Sequence, residues 1–301
     1  MSCGRARAAA LLLLLVAAGC DRPGGSAASG AAADPLAEAR GLFAERRYDE
    51  VLARVGAAAD ADSAYLAGRA WAGKAESAPV PTPLPGASGP ATRLKAEEEQ
   101  ALVAYERAVA ARPDFVDAHV AIAELLAPHA LAAVAAAPRP KPGAPGPPPN
   151  PLVERVLQSY GNALQADLAG TKAAEGLIAF ATRAARPGEA DAGFQELVRR
   201  RREDPALLVR YGDFLAGPAG KPEAALAQYA QALIWKPTDD ATKLKMADIY
   251  LAAAAVHLRD LQYVAAEARL KDARRYTVDP GSPQAARLAE LEGRVRDVRG
   301  R

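Results

Sequence analysis

Apolar positions along this chain fall on short helical stripes, not on alternating strands. In residues 221–240, KPEAALAQYAQALIWKPTDD, Ala225, Tyr229 and Ala232 follow one another in steps of four and three, the spacing of one helix face. Pro222 stands where a first helical residue can do without its N–H, and Pro237 stops the helix five residues after Ala232. Two alanines allow a second helix to approach closely, and the tyrosine ring fills the space between them. So short a helix cannot persist alone and needs neighbours of its own kind.

The same order recurs at Ala101, Tyr105 and Ala108, followed by Pro113, and at Val156, Tyr160 and Ala163, with Leu168 in the place of the proline. Looser copies are Val51, Val55 and Ala58; Ala190, Phe194 and Leu197; and Ala266, Leu270 and Ala273. First members stand at 51, 101, 156, 190, 225 and 266, at intervals of 50, 55, 34, 35 and 41. Two long intervals contain Pro/Gly-rich inserts, residues 78–93 (APVPTPLPGASGPATR) and 137–151 (APRPKPGAPGPPPNP). The interval of 41 contains LAAAAVHLRDLQ, which reads as a lengthened helix. With these set aside, the repeat is regular.

Residues 35–280 thereby resemble a tetratricopeptide-repeat array, whose period is about 34 residues. The carriers are the small–large–small triplet of each second helix, the proline that follows, and Tyr211-Gly212 in the first helix of the fifth repeat. The resemblance implies an all-α fold: a superhelical solenoid of about six antiparallel helix pairs plus a C-terminal capping helix, residues 281–301. Asp34-Pro35, Asp204-Pro205 and Ser282-Pro283 supply N-caps and first-turn prolines. In the last helix Leu288, Leu291, Val295 and Val298 form the apolar stripe, as an end cap requires. Both inserts fall between the first and second helix of their repeats. They read as tolerated surface insertions, or as a docking rim in extended polyproline form.

Composition agrees with helices. Half of the residues are apolar, yet only 5% are aromatic, and runs of alternating Val, Ile and Thr are absent. Trp71 and Trp235 lie inside repeat helices and read as core.

The N-terminus changes the picture of location. Arg5 and Arg7 precede an apolar run from Ala8 to Ala18, too short for an ordinary membrane-spanning helix and suited to a signal peptide, residues 1–19. The run ends in VAAGC, which resembles a bacterial lipobox with Ala17 where leucine is commoner. The resemblance implies lipidation of Cys20 (palmitate among its acyl chains), with ordinary cleavage at a small-residue site as the alternative. Asp21 resembles the inner-membrane sorting signal of enteric lipoproteins. Residues 20–34 then read as the lipidated cysteine and a flexible tether. Cys3 and Cys20 are the only cysteines, so a processed chain keeps no thiol for a disulfide or a metal. Removing Arg5 and Arg7 takes 38 basic and 36 acidic residues to 36 of each, which gives no electrostatic reason to bind nucleic acid.

Candidate chemistry is sparse. His119, His129 and His257 stand at no metal-binding spacing. Gly220-Lys221 lacks the leading glycine of a phosphate loop, and no nucleophile elbow or dinucleotide fingerprint is present. No catalytic residue, metal ligand or cofactor is expected. The run Arg199 to Arg202 solvates a helix C-terminus, or serves an anionic partner. The expected role is a lipid-anchored scaffold of the cell envelope. Its partner would be a protein, as an extended peptide or helix in the groove of the first helices. Pilotin-like assembly factors, an accessory subunit of an envelope enzyme and an undetected hydrolase are the competing readings. Groove candidates are Lys172, Arg183, Arg210, Asp213, Lys243 and Lys245. The asparagines of the family's chaperone clamp have no counterpart, since Asn150 and Asn162 fall in an insert and a second helix.

Overall fold

Why the stripes bury becomes visible in a computed structural model, which describes residues 34–78, 94–137, 149–167, 170–277 and 279–299. Among these residues there are thirteen α-helices and no strand. They form six hairpins: α1 (Pro35–Ala44) with α2 (Tyr48–Val55), α3 (Ala61–Ser77) with α4 (Ala96–Ala111), and α5 (Val116–Ala136) with α6 (Pro151–Ala166). Then come α7 (Lys172–Arg183) with α8 (Pro187–Arg200), α9 (Pro205–Ala216) with α10 (Pro222–Trp235), and α11 (Asp240–Arg259) with α12 (Tyr263–Tyr276). The last helix is α13 (Pro283–Arg299). All thirteen belong to the unit Pro35–Arg301. Each second helix also packs on the first helix of the next hairpin, and first helices meet one another, as α1 does α3 and α5 does α7.

The triplets are what this packing buries. Ala101, Tyr105, Ala108, Val156, Tyr160, Ala163, Ala190, Phe194, Leu197, Ala225, Tyr229, Ala232, Ala266, Leu270 and Ala273 are all at most 4% exposed. Glycine makes room for three of the tyrosine rings: Gly68 lies against Tyr105, Gly176 against Tyr160 and Gly212 against Tyr229. A Cβ at any of these glycines would come within 3.0 Å of the ring. Asp204 caps α9 by accepting from the Leu207 N–H at 3.1 Å, and Asn150 caps α6 by accepting from Leu152 at 2.9 Å.

Three hairpins share one tight turn, and the longer α9–α10 loop ends in the same backbone conformation. Arg46, Ala185, Gly220 and Leu261 each have a φ between 54° and 63°, the left-handed region. The next residue's N–H then reaches back to the end of the first helix: Arg47 to Leu42 O at 3.0 Å, Arg186 to Ala181 O at 2.8 Å, Gln262 to His257 O at 2.8 Å. Hairpins two and three carry the inserts at this place instead.

Some residues stand apart from the sequence reading. Ala58 lies beyond α2, which ends at Val55 with Gly56 as its cap residue, and so is only half-buried. Val298 is 41% exposed because no described helix covers the last turn of α13. Trp235, at the tip of α10 beside Ile234, is 48% exposed and not core. α11 has 20 residues against 12 for α9, the lengthening expected there. By length and composition α5 could cross a membrane, yet Val120, Ile122, Ala123, Leu126 and Ala130 are buried against neighbouring hairpins. Residues 1–33 with Cys20 and Asp21, Leu168, and nearly all of both inserts lie outside the described residues.

Candidate functional site

The first helices present a charged face whose residues largely satisfy one another. Three of these helices carry a cation and, three residues later, an acid: Lys172 and Glu175, Arg210 and Asp213, Lys245 and Asp248. That spacing puts both on one edge of the helix, while the two residues between turn inward, as Tyr211 and Gly212 or Met246 and Ala247 do. The pairs then form between helices. Glu124 of α5 meets Lys172 of α7 at 3.5 Å, Glu175 of α7 meets Arg210 of α9 at 2.5 Å, and Asp213 of α9 meets Lys245 of α11 at 2.6 Å. Asp248 of α11 continues the line by accepting from Gln284 of α13 at 3.0 Å. Tyr229 also donates to Asp213, at 2.7 Å. Burial and this bond to a carboxylate push its hydroxyl well above the ordinary tyrosine range.

Four of the six groove candidates, Lys172, Arg210, Asp213 and Lys245, are thus brought into one ladder. Lys243 instead pairs within its own helix, with Asp240 at 2.8 Å. Arg183 borders a pocket of about 560 Å³ with Glu124, Pro128 and Tyr160.

The ladder does not extend to the first two hairpins. There a pocket of about 310 Å³ opens between α1, α3 and the start of α5. Phe43, Tyr65 and Phe115, all half-buried, give it an aromatic lining. The Tyr65 and Phe115 rings are tilted with centroids 5.0 Å apart. The Arg69 guanidinium lies 4.4 Å over Phe43, an attractive cation–ring contact. Arg112 lies 3.8 Å over the Phe115 ring and pairs with Asp62 at 3.0 Å. Arg40 and Asp117 complete the rim. None of these residues stands out from the sequence alone. In a chain only 5% aromatic, the gathering of Phe43, Tyr48, Tyr65, Trp71, Tyr105 and Phe115 in the first three hairpins was the available signal.

Other candidates resolve into structural roles. Arg199 and Arg200 pair with Glu196 at 2.5 and 2.7 Å, and the Arg199 bond, ahead of that from Arg200, holds the Glu196 carboxyl down at about 2. Arg200 also donates to the Asp167 carbonyl at 2.6 Å, and Arg201 pairs with Asp204 at 2.8 Å. The basic run is therefore largely engaged by α8 itself, the end of α6 and the N-cap of α9. His119 is buried with Nε2 2.8 Å from the Pro113 carbonyl, His129 stands 3.2 Å from Glu98, and His257 lies 2.7 Å from Gln262. Lys221 meets Asp191 at 2.8 Å. Among the described residues no group of His, Cys, Asp and Glu is placed to hold a metal.

No family model matches the chain, and no curated protein is similar to it. Solved structures do match. A thermophilic TPR protein in Thermus thermophilus is 18% identical, over 72% of this chain and 97% of its own, with a TM-score of 0.36. A tetratricopeptide repeat protein from Parabacteroides merdae is 12% identical, over 87% and 83%, at 0.37. Pseudomonas aeruginosa pilF is 17% identical, over 84% and 86%, at 0.35. At such identities and TM-scores the likeness extends to no partner or activity. By its own helix pairing and buried triplets, the fold is an all-α array of tetratricopeptide-type hairpins closed by a last helix.

Proposed function

We propose that this chain is a non-catalytic scaffold of the bacterial cell envelope, lipid-anchored through Cys20, that holds another protein on the face of its first helices. The observation that carries the reading is the contrast along that face. From α5 to α11 a ladder of paired cations and acids joins successive first helices, whereas between α1, α3 and α5 an aromatic pocket stays open. A half-buried cluster of aromatic and arginine side chains has the composition of a binding hot spot. Lipidation rests on the sequence alone, on the signal-like run that ends at Cys20.

Co-purification from detergent-solubilised membranes tests the reading. One stoichiometric protein should accompany the chain, and Tyr65→Ala should reduce its recovery while the helical signal is kept. An isolated chain that binds no protein yet turns over a substrate would overturn it.

A further inference from the structure

The pocket and the ladder are related by position, and this points to a ligand chemistry. Gly68 and Gly212 occupy the same place in their hairpins, each against the tyrosine of its second helix. The residues around them are therefore equivalent. Leu66-Ala67-Gly68-Arg69 stands where hairpin five has Arg210-Tyr211-Gly212-Asp213. The ladder's cation has become leucine and its acid has become arginine. Arg69 has no carboxylate partner among the described residues, and neither does Arg40 across the pocket. Of the two acids on the rim, Asp62 is engaged by Arg112. Asp117 lies in the first turn of α5, where the helix N-terminus favours a negative charge. What faces the opening is an aromatic lining flanked by two guanidinium groups.

We propose that this pocket takes one large apolar side chain of an extended segment of the partner protein, and that Arg40 and Arg69 hold a carboxylate next to it in the segment. The inference rests on the protein-binding reading above and names the chemistry of that partner. A volume of about 310 Å³ suits one such side chain and not a helix. Arg69 is held in place by the Phe43 ring, so a carboxylate finds its planar fork already oriented. The ladder from Glu124 onward pairs its cations with acids, and the wider pocket beside Arg183 has one aromatic ring, Tyr160, and no second guanidinium, so the recognition proposed here belongs to the first hairpins.

Three fluorescein-labelled peptides test this by fluorescence anisotropy with the full chain in detergent: acetyl-Ser-Asp-Phe-Asp-Ser, acetyl-Ser-Lys-Phe-Lys-Ser and acetyl-Ser-Asp-Ala-Asp-Ser. The first should bind at least tenfold more tightly than the other two, and less tightly as salt is added. Arg40→Glu with Arg69→Glu should invert the order of the two phenylalanine peptides, an effect that mere loss of folding cannot give. Lys271→Glu, at an exposed position of α12, should change nothing. Equal binding of all three peptides, or an order that survives the charge reversal, would overturn the proposal. So would no binding of any peptide at millimolar concentration. In that case a partner still recovered from membranes would leave the scaffold reading standing.

Discussion

Asp191 of α8 ties α9 and the N-cap residue of α10 through one carboxylate. Tyr211 donates to Oδ1 at 2.5 Å and Lys221 to Oδ2 at 2.8 Å, although Asp191 is only 9% exposed. Burial works to raise its pKa, but the bonds from Lys221 and Tyr211 and the Lys221 charge outweigh it and leave it below the ordinary aspartate value. A carboxyl whose folded pKa is depressed contributes stability above its unfolded value, about 3.9, and loses it as pH falls through the folded one. Asp191→Asn should therefore destabilise by about 1–3 kcal/mol at neutral pH. By urea unfolding, the gap from wild type should narrow between pH 7 and pH 3; a constant gap would show that charge is not what the site uses. Gly212 makes a different point at the same scale. An alanine there needs the Tyr229 ring to move, and the ring is walled in by the core and tied to Asp213. Gly212→Ala should destabilise by about 1–3 kcal/mol, whereas Gly161→Ala, with open space around it, should be neutral or slightly stabilising. Equal effects at the two sites would refute the close-approach account.

At the scale of elements, the shared turn can be tested directly. Ala185 sits at φ 54° with a Cβ that disfavours this region, a penalty of about 1–2 kcal/mol, partly offset for glycine by its freer unfolded chain. Ala185→Gly should raise stability by up to about 1 kcal/mol, read as a higher urea midpoint, and an unchanged or lower midpoint would mean that the turn is not strained. Gly220, at φ 63° just before α10 in the longer α9–α10 loop, shows glycine taking this conformation at the entry to a second helix. These turns also mark where the sequence was readable and where it was not. The second helices were legible because burial on both sides restricts them to a small–large–small stripe, which no other constraint blurs. First helices were harder, since their outer face is governed by partners 32 to 48 residues away, as Asp213 is by Lys245, Asp248 by Gln284 and Glu124 by Lys172. Within one helix such charges look like an ordinary solvated edge. The aromatic pocket was hidden for a similar reason. Phe43, Tyr65 and Phe115 come from two helices and a cap residue that only the stacking of hairpins brings together. Val298 and Trp235 misled in the opposite sense, because helix-period patterning continues to the tip of a helix whether or not a neighbour covers the tip.

For the whole molecule, the proposed membrane anchor rests on Cys20. Processing after Gly19 would remove the two arginines that precede Cys20 and leave 36 basic and 36 acidic residues. A chain with no excess of positive charge gains little from anionic headgroups. The long apolar helix α5 is committed to the core through Ala118, Ala123 and Leu126, each fully buried. Anchoring would then depend on acyl chains, each methylene of which contributes about 0.8 kcal/mol; one chain binds marginally and two or more bind stably. Cys20→Ser should accordingly block lipid attachment, and the protein should either accumulate as an uncleaved precursor or move to the soluble fraction. Cell fractionation with metabolic acyl labelling distinguishes these outcomes, and a variant that is processed normally yet stays with membranes would show that another contact holds it there. Asp21 refines the expectation. If it acts as a retention signal, Asp21→Ser should shift the lipidated protein from inner- to outer-membrane fractions on a density gradient. An outer-membrane position for both forms would exclude retention, while leaving the Cys20 anchor itself untouched.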